Sequence, residues 1–186
     1  MRNLSQQINK KNVLNCLLED VLKRAREKGA SDAAVAVNHD QGFSVDVRMG
    51  AVETVEFSEE KGVSVVVYSG HQKGSATSND TSPRALDAMV SAAYDIASVS
   101  AKDACFGLPD KEDIKFDYPE LDLVHPWSIT PEEASIRAKT CEEHALSLDK
   151  RIHNSDGVSL STYTLCHGYA NTKGFVGLVE GSHHSM

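Results

Sequence analysis

The sequence lacks the features that mark membrane-spanning, secreted or nucleic-acid-binding proteins. No apolar run approaches the ~20 residues of a membrane-spanning helix, and residues 1–12 are polar, without the apolar segment of a secretory signal. Only 19 Lys and Arg oppose 27 Asp and Glu, which gives a formal net charge of -8. The densest basic stretch, residues 23–28, ends a predicted helix, where cations favour the helix dipole. We therefore expect neither nucleic acid nor membrane among the partners.

Cysteine is scarce and scattered. The four cysteines, Cys16, Cys105, Cys141 and Cys166, are far apart and form no C-x-x-C pair, so neither a zinc ribbon nor a redox dithiol is indicated. Free thiols without a pairing pattern are typical of a reducing compartment. The sequence thus predicts reduced, mostly buried cysteines in a cytoplasmic protein.

Motifs for catalysis and metal binding are also missing. The eight histidines include no H-E-x-x-H string. Glu142-Glu143-His144 has these residue types in the wrong order, on the predicted solvent face of a helix, and His183-His184 is expected to lie in a disordered terminus. The stretch 157–161 lacks the second glycine of G-x-S-x-G. We therefore predict no catalytic and no metal-binding residue in this chain, and substrate-binding residues stay undetermined.

Three amphipathic helices are predicted. Apolar residues at three-and-four spacing indicate a first helix over about residues 9–28. Ser82-Pro83 begins a second helix with an N-cap, and its apolar face comprises Leu86, Met89, Val90, Ala93 and Ala97. A capping box at Thr130 begins a third, on which Ile129 is expected to pack against Ala134. The predicted buried face of this third helix is Ala134, Ala138, Cys141, Ala145 and Leu148.

Between the first two helices the apolar period changes to two, which predicts strands. We expect short strands over 33–38, 43–48, 52–57, 63–68 and 74–78, joined by turns at 40–42, 49–50, 59–62 and 70–73. Such short connections require antiparallel pairing. The expected fold class is α+β, an antiparallel meander sheet with the first two helices packed on one face. A later hairpin is predicted over 158–166 and 175–179.

The organisation along the chain follows from these patterns. Residues 1–100 are predicted to form a helix–sheet–helix core, 101–128 an extended connection containing prolines, and 129–186 a helix plus hairpin that completes the domain. Because a strand pattern stops at Met186, we expect a larger protein cut before a C-terminal domain. Val63, Val65 and Val67 should face the helices, with Ser64, Val66 and Tyr68 on the second face of the sheet. Because Val66 and Tyr68 are also apolar, we expect this second face to meet either the absent C-terminal domain or the partner subunit.

Several strings resemble the PmbA (TldE) branch of the TldD/PmbA family. They are the stretch 32–37, the stretch 52–57, Lys73-Gly74-Ser75-Ala76-Thr77-Ser78-Asn79-Asp80-Thr81-Ser82-Pro83, the stretch 116–126, and Asp149-Lys150-Arg151-Ile152 with Asn154. The likeness runs in order from the first helix to the end. It resembles the N-terminal domain of such a protein.

The resemblance implies a cytoplasmic, non-catalytic subunit that pairs with a TldD-like subunit. That partner would carry zinc at an H-E-x-x-x-H site, and the pair would degrade unfolded peptides and mature microcin-type peptides. This chain would then hold no cofactor, and its partners would be the TldD-like subunit and extended peptide, with a homo-oligomer left open. Whether H-E-x-x-x-H follows residue 186 is open as well. The alternative is an adaptor, a modulator of DNA gyrase without a peptidase role, which would bind its target without the zinc-bearing subunit.

Overall fold

The computed structural model describes the backbone of residues 2–186 and the side chains of residues 11–186. This described part of the chain contains three α-helices, α1 (Arg2–Lys28), α2 (Pro83–Val99) and α3 (Pro131–Ser147), together with a short 3-10 helix at Lys111–Asp113. The strands are β1 (Asp32–Arg48), β2 (Ala51–Ser69), β3 (Gln72–Ser78), β4 (Val158–Asn171) and β5 (Val176–Ser185). They form one sheet in the order β3-β2-β1-β4-β5. The predicted α+β class with an antiparallel sheet is confirmed.

The strands are longer than the sequence predicted, because two of the predicted turns do not exist. Residues 40–42 lie inside β1 and residues 59–62 lie inside β2. A Cβ on Gly42 would lie 2.1 Å from the Thr162 carbonyl oxygen, and a Cβ on Gly62 would lie 2.5 Å from Asn38 Oδ1. These glycines therefore permit close approach within a sheet rather than a reversal of the chain. The reversal occurs at Met49-Gly50, where φ is 48° and 76°.

The chain divides into two compact units. The first comprises residues 1–39, 61–121 and 166–179, and the second comprises 40–60, 122–165 and 180–186. The domain boundaries expected from the sequence, and the expected C-terminal truncation, stay predictions.

The core of the first unit lies between the sheet and two helices. Val63, Val65 and Val67 are at most 2% exposed, whereas Ser64, Val66 and Tyr68 are half-buried. The predicted alternation of β2 is therefore confirmed. Besides these three valines of β2, the same core contains residues of two helices and two further strands: Leu14, Leu18, Val21, Leu22 and Ala25 of α1, Leu86, Met89, Val90, Ala93 and Ala97 of α2, Ala33, Val35 and Val37 of β1, and Cys166 and Ala170 of β4. Helices α1 and α2 thus pack on one face of the sheet, as predicted.

The core of the second unit is smaller and covers one side of α3. Ile129 packs with Ala134 and Ala138 against apolar residues of β1 and β4, namely Phe43, Val45, Val47 and Leu160. The predicted capping box is present, with the Thr130 hydroxyl accepting from the Glu133 N–H and the Glu133 carboxylate accepting from the Thr130 N–H. The prediction for the rest of the buried face of α3 was wrong, because Cys141, Ala145 and Leu148 are exposed.

Strand β2 is paired with β3 over only part of its length. The pairing runs from Val63↔Ser78 to Ser69↔Gln72 in antiparallel register. In the part of β2 that precedes this pairing, residues 51–57 are all exposed, including Val52, Val55 and Phe57. Among the helices of the described residues, none is long and apolar enough to cross a membrane.

Candidate functional site

A cavity of about 640 Å³ opens in the first unit, on the face of the sheet opposite α1 and α2. Its floor includes Ala36, Ser64 and Thr77, and Ser64 and Thr77 are paired residues of β2 and β3. Each of these three alternates with residues that face the helices. The extended connection supplies Lys115, Tyr118 and Leu121 to the rim. This volume lies in the ~300–1,000 Å³ range of small-ligand sites.

Aromatic side chains form one wall of the cavity. Phe175 contacts Tyr169 and Tyr118 with ring centroids 5.9 and 6.1 Å apart, and Phe116 lies behind it at 6.5 Å. These are the separations of interacting ring pairs, which stabilise one another beyond their buried area. A Cβ on Gly177 would lie 3.0 Å from the Phe175 ring, so this ring needs a glycine opposite it. The wall is therefore a largely apolar surface of contacting rings.

Among the polar side chains that line the cavity, only Lys115 carries a permanent charge. Asn38, His167 and Lys115 line it, whereas neither Asp nor Glu does. Within the described part of the chain, Lys115 has neither an ion pair nor a side-chain hydrogen bond, while His167 has a partner of its own. The combination of apolar walls and one available ammonium group favours an apolar ligand with a negative charge.

A second polar site lies in the second unit, where Glu142 caps the β1–β2 turn. Its two carboxylate oxygens accept from the Met49 N–H at 2.9 Å and from the Gly50 N–H at 2.8 Å. The Gly50 N–H, then the Met49 N–H and Ser155, with the charge of Arg48, lower the pKa of Glu142 despite the opposing effect of burial. The residue is 1% exposed, so its predicted place on the solvent face of α3 was wrong. Satisfied hydrogen bonds on both oxygens indicate a structural role.

The other candidate catalytic and metal-binding residues of the sequence do not line the cavity of the first unit. Glu143 and His144 are exposed on α3. His184 lies within β5 rather than in a disordered terminus, because its Nδ1 bonds Thr162 Oγ1 at 2.8 Å and its Nε2 bonds the His125 carbonyl at 2.8 Å. The Ser159 hydroxyl donates to Asp46. Among the described residues, no cluster of three or more His, Cys, Asp or Glu side chains could hold a metal ion.

The cysteines differ from their prediction in burial. Cys16, Cys105 and Cys141 are exposed, and Cys166 is buried, with all of them free. Small apolar residues are buried so often that burial was the expectation. The cavity itself could not be located from sequence, since its lining combines residues of all five strands with a connection that has no periodic pattern. Its one visible signal was the excess of aromatic residues near 116–118 and 169–175.

Comparison with known proteins defines the family. Residues 33–97 match the PmbA/TldA metallopeptidase domain 1. The chain is 40% identical over 173 residues to Metalloprotease PmbA of Escherichia coli O157:H7, a match that covers 91% of this chain and 38% of that protein. It is 37% identical over 159 residues to the Metalloprotease PmbA homolog of Haemophilus influenzae, covering 86% of this chain and 35% of that one. The chain belongs to the TldD/PmbA family, and it resembles the N-terminal domain of a PmbA protein. It spans little more than a third of the length of these relatives.

Solved structures share the fold. A proposed modulator of DNA gyrase from Bacteroides thetaiotaomicron superposes with a TM-score of 0.82 at 23% identity, covering 91% of this chain and 39% of that one. TldE from Thermococcus kodakarensis superposes with a TM-score of 0.65 at 14% identity, covering 89% and 37%. At these identities the likeness concerns the fold alone.

Proposed function

We propose that this chain is the N-terminal domain of a PmbA/TldE-like subunit of a cytoplasmic TldD/PmbA zinc metallopeptidase complex. The observation that carries the proposal is the 40% identity to Metalloprotease PmbA over 91% of the chain. In this proposal the subunit is non-catalytic, and zinc belongs to a TldD-like partner. The substrates would be unfolded peptides, including microcin-type precursors.

The physical contribution of such a domain would be to hold substrate rather than to cleave it. Main-chain hydrogen bonds along a strand read little sequence, which suits the degradation of unfolded chains. The part of β2 that precedes its pairing with β3 offers exposed backbone of this kind. This strand would therefore bind extended peptides of many sequences, and the TldD-like partner would cleave them.

The proposal is tested by reconstitution with the TldD-like subunit of the same organism. Cleavage of an unstructured protein such as casein is followed with each protein alone and with the two mixed, with and without a zinc chelator. We expect cleavage only from the mixture and its loss on chelation. Activity of this chain alone, or activity of the partner that this chain does not alter, would contradict the proposal.

A second candidate is an adaptor without a peptidase role. The likeness to a proposed gyrase modulator favours it, although only through the fold. An adaptor of this kind binds DNA gyrase in the absence of the TldD-like subunit. A pull-down with purified gyrase and no other protein separates the two candidates.

A further inference from the structure

We propose that the cavity of the first unit binds the C-terminal residue of a peptide that has an apolar side chain, with Lys115 binding its carboxylate. The inference rests on the proposed function, because it names the class of peptide that the domain would retain.

The walls determine the kind of side chain. Phe175, Tyr118 and Tyr169 supply aromatic surface, and Ala36 and Val179 add aliphatic surface. Burial of apolar surface is the main favourable term for a side chain that enters such a site. An aromatic or large aliphatic residue therefore binds best, and a charged side chain would lose its hydration without a partner.

The charge of the site determines the second group. The chain as a whole carries a formal charge of -8, yet the cavity contains a lysine and neither Asp nor Glu. A carboxylate placed at Lys115 gains a charge-assisted hydrogen bond that an amide or an alcohol cannot match. A positively charged ligand would meet the ammonium group and no counter-charge.

The open rim favours a peptide over a free amphipathic acid. Tyr118 is 45% exposed, Leu121 is 56% exposed and Val179 is 41% exposed. Solvent therefore reaches the cavity along the connection, and the remainder of a longer chain can leave through this opening. A site for a free fatty or aromatic acid would be expected to enclose its ligand almost completely.

Binding of a short peptide to the purified chain provides the test, in the absence of any partner. The probe is N-acetyl-Ala-Ala-Phe with a free carboxylate, compared with the same peptide as its C-terminal amide, by isothermal titration calorimetry. We expect the acid to bind about 5-fold more tightly than the amide, the effect of one partly exposed ion pair. Equal affinities, or binding of neither peptide, would overturn the inference.

Two lysine variants identify the ammonium group that binds the peptide carboxylate. Lys115→Met should reduce the affinity for the acid to that for the amide. The control is Lys111→Met, which makes the same change in the same connection at a residue that does not line the cavity, and it should leave both affinities unchanged. Equal effects of the two variants would mean that only the general charge matters, which contradicts the proposal.

Two further measurements distinguish other outcomes. Ala36→Phe fills the cavity and should abolish binding of both peptides, with circular dichroism reporting whether the variant is folded. If Ala36→Phe does not fold, the comparison of Lys115→Met with Lys111→Met still tests whether Lys115 in the cavity binds the peptide carboxylate. Decanoate tests the free acid, and binding of decanoate without binding of the peptide acid would overturn the peptide assignment. None of these results depends on cleavage, so the proposed function fails or succeeds separately in the reconstitution.

Discussion

Glu142 shows how a single buried acid can fix a turn. Its carboxylate occupies both N–H groups of Met49 and Gly50, residues that adopt positive φ and have no strand partner for these donors. An unsatisfied buried N–H is costly, so removal of the acceptor is worse than its conservative replacement. The acid therefore stabilises a turn that is remote from it in sequence.

We predict that Glu142→Ala lowers the urea midpoint of unfolding more than Glu142→Gln, because glutamine keeps one acceptor oxygen. The lowered pKa sets the pH dependence. The contribution of the carboxylate is fully present above the ordinary value of about 4.3 and is lost as pH falls through the lower value of the folded state. The difference in stability between the native protein and Glu142→Gln should hence be constant near neutral pH and shrink on acidification. A difference that grows at low pH would contradict this sign.

At this scale the sequence could not have revealed the role of Glu142. Helical periodicity assigns an acid among polar neighbours to solvent, and the donors that bury it come from a hairpin about ninety residues earlier in the chain. Cys141 was misplaced for the same reason, since the two adjacent residues exchange faces.

At the scale of elements, α2 packs on β3 with almost no space between the two backbones. A Cβ at Gly74 would lie 2.0 Å from the Ala93 carbonyl oxygen and 2.5 Å from the Ala97 N, so the helix would have to move. We predict that Gly74→Ala destabilises the protein by about 1–3 kcal/mol, as overpacking does. Gly107→Ala is the control, because a Cβ there meets nothing within 4 Å. Similar denaturation midpoints for both variants would show that α2 can move to accommodate the added Cβ at little cost in stability, which contradicts the prediction.

The alternation of β2 gives a second test, with two neighbouring valines. Val65 is fully buried, and Val66 is half-buried on the other face. Val65→Asp should prevent folding, because it buries an unpaired charge. Val66→Asp should keep the circular dichroism spectrum and weaken assembly with the TldD-like subunit in size-exclusion chromatography. If Val66→Asp also yields no soluble protein, the residue belongs to the core and the interface proposal fails.

The sequence predicted the helices of this fold better than its strands. Ser82 and Thr130 begin α2 and α3 as expected, since capping is a local interaction. Gly42 and Gly62 were taken for turns, because the reason for these glycines is a neighbouring strand. Helix α1 begins at Arg2, ahead of the apolar pattern that starts near residue 9, since polar residues extend a helix without leaving a periodic signal.

At the scale of the whole molecule, the proposed division of labour predicts the metal content. The purified chain should bind no stoichiometric zinc and cleave no peptide, because its sequence has no H-E-x-x-H string and its described residues include no cluster of three or more potential metal ligands. Mass spectrometry of the metal content, after dialysis against zinc and then buffer, checks this. One tightly bound zinc per chain, lost on mutation of any of its histidines, would contradict it.

The length of β2 that precedes its pairing with β3 has a consequence for solubility. An exposed strand edge with Val52, Val55 and Phe57 is a template for addition of another chain. Between residues 51 and 60 the strand has Glu53, Glu56, Glu59 and Glu60 and no cation, so two copies that approach edge to edge repel each other. Glu53→Gln with Glu56→Gln should raise light scattering at neutral pH, and unchanged scattering would show that the edge is protected otherwise. The acidic residues thereby keep the edge from pairing with its own copies, while an uncharged or basic strand meets no such repulsion.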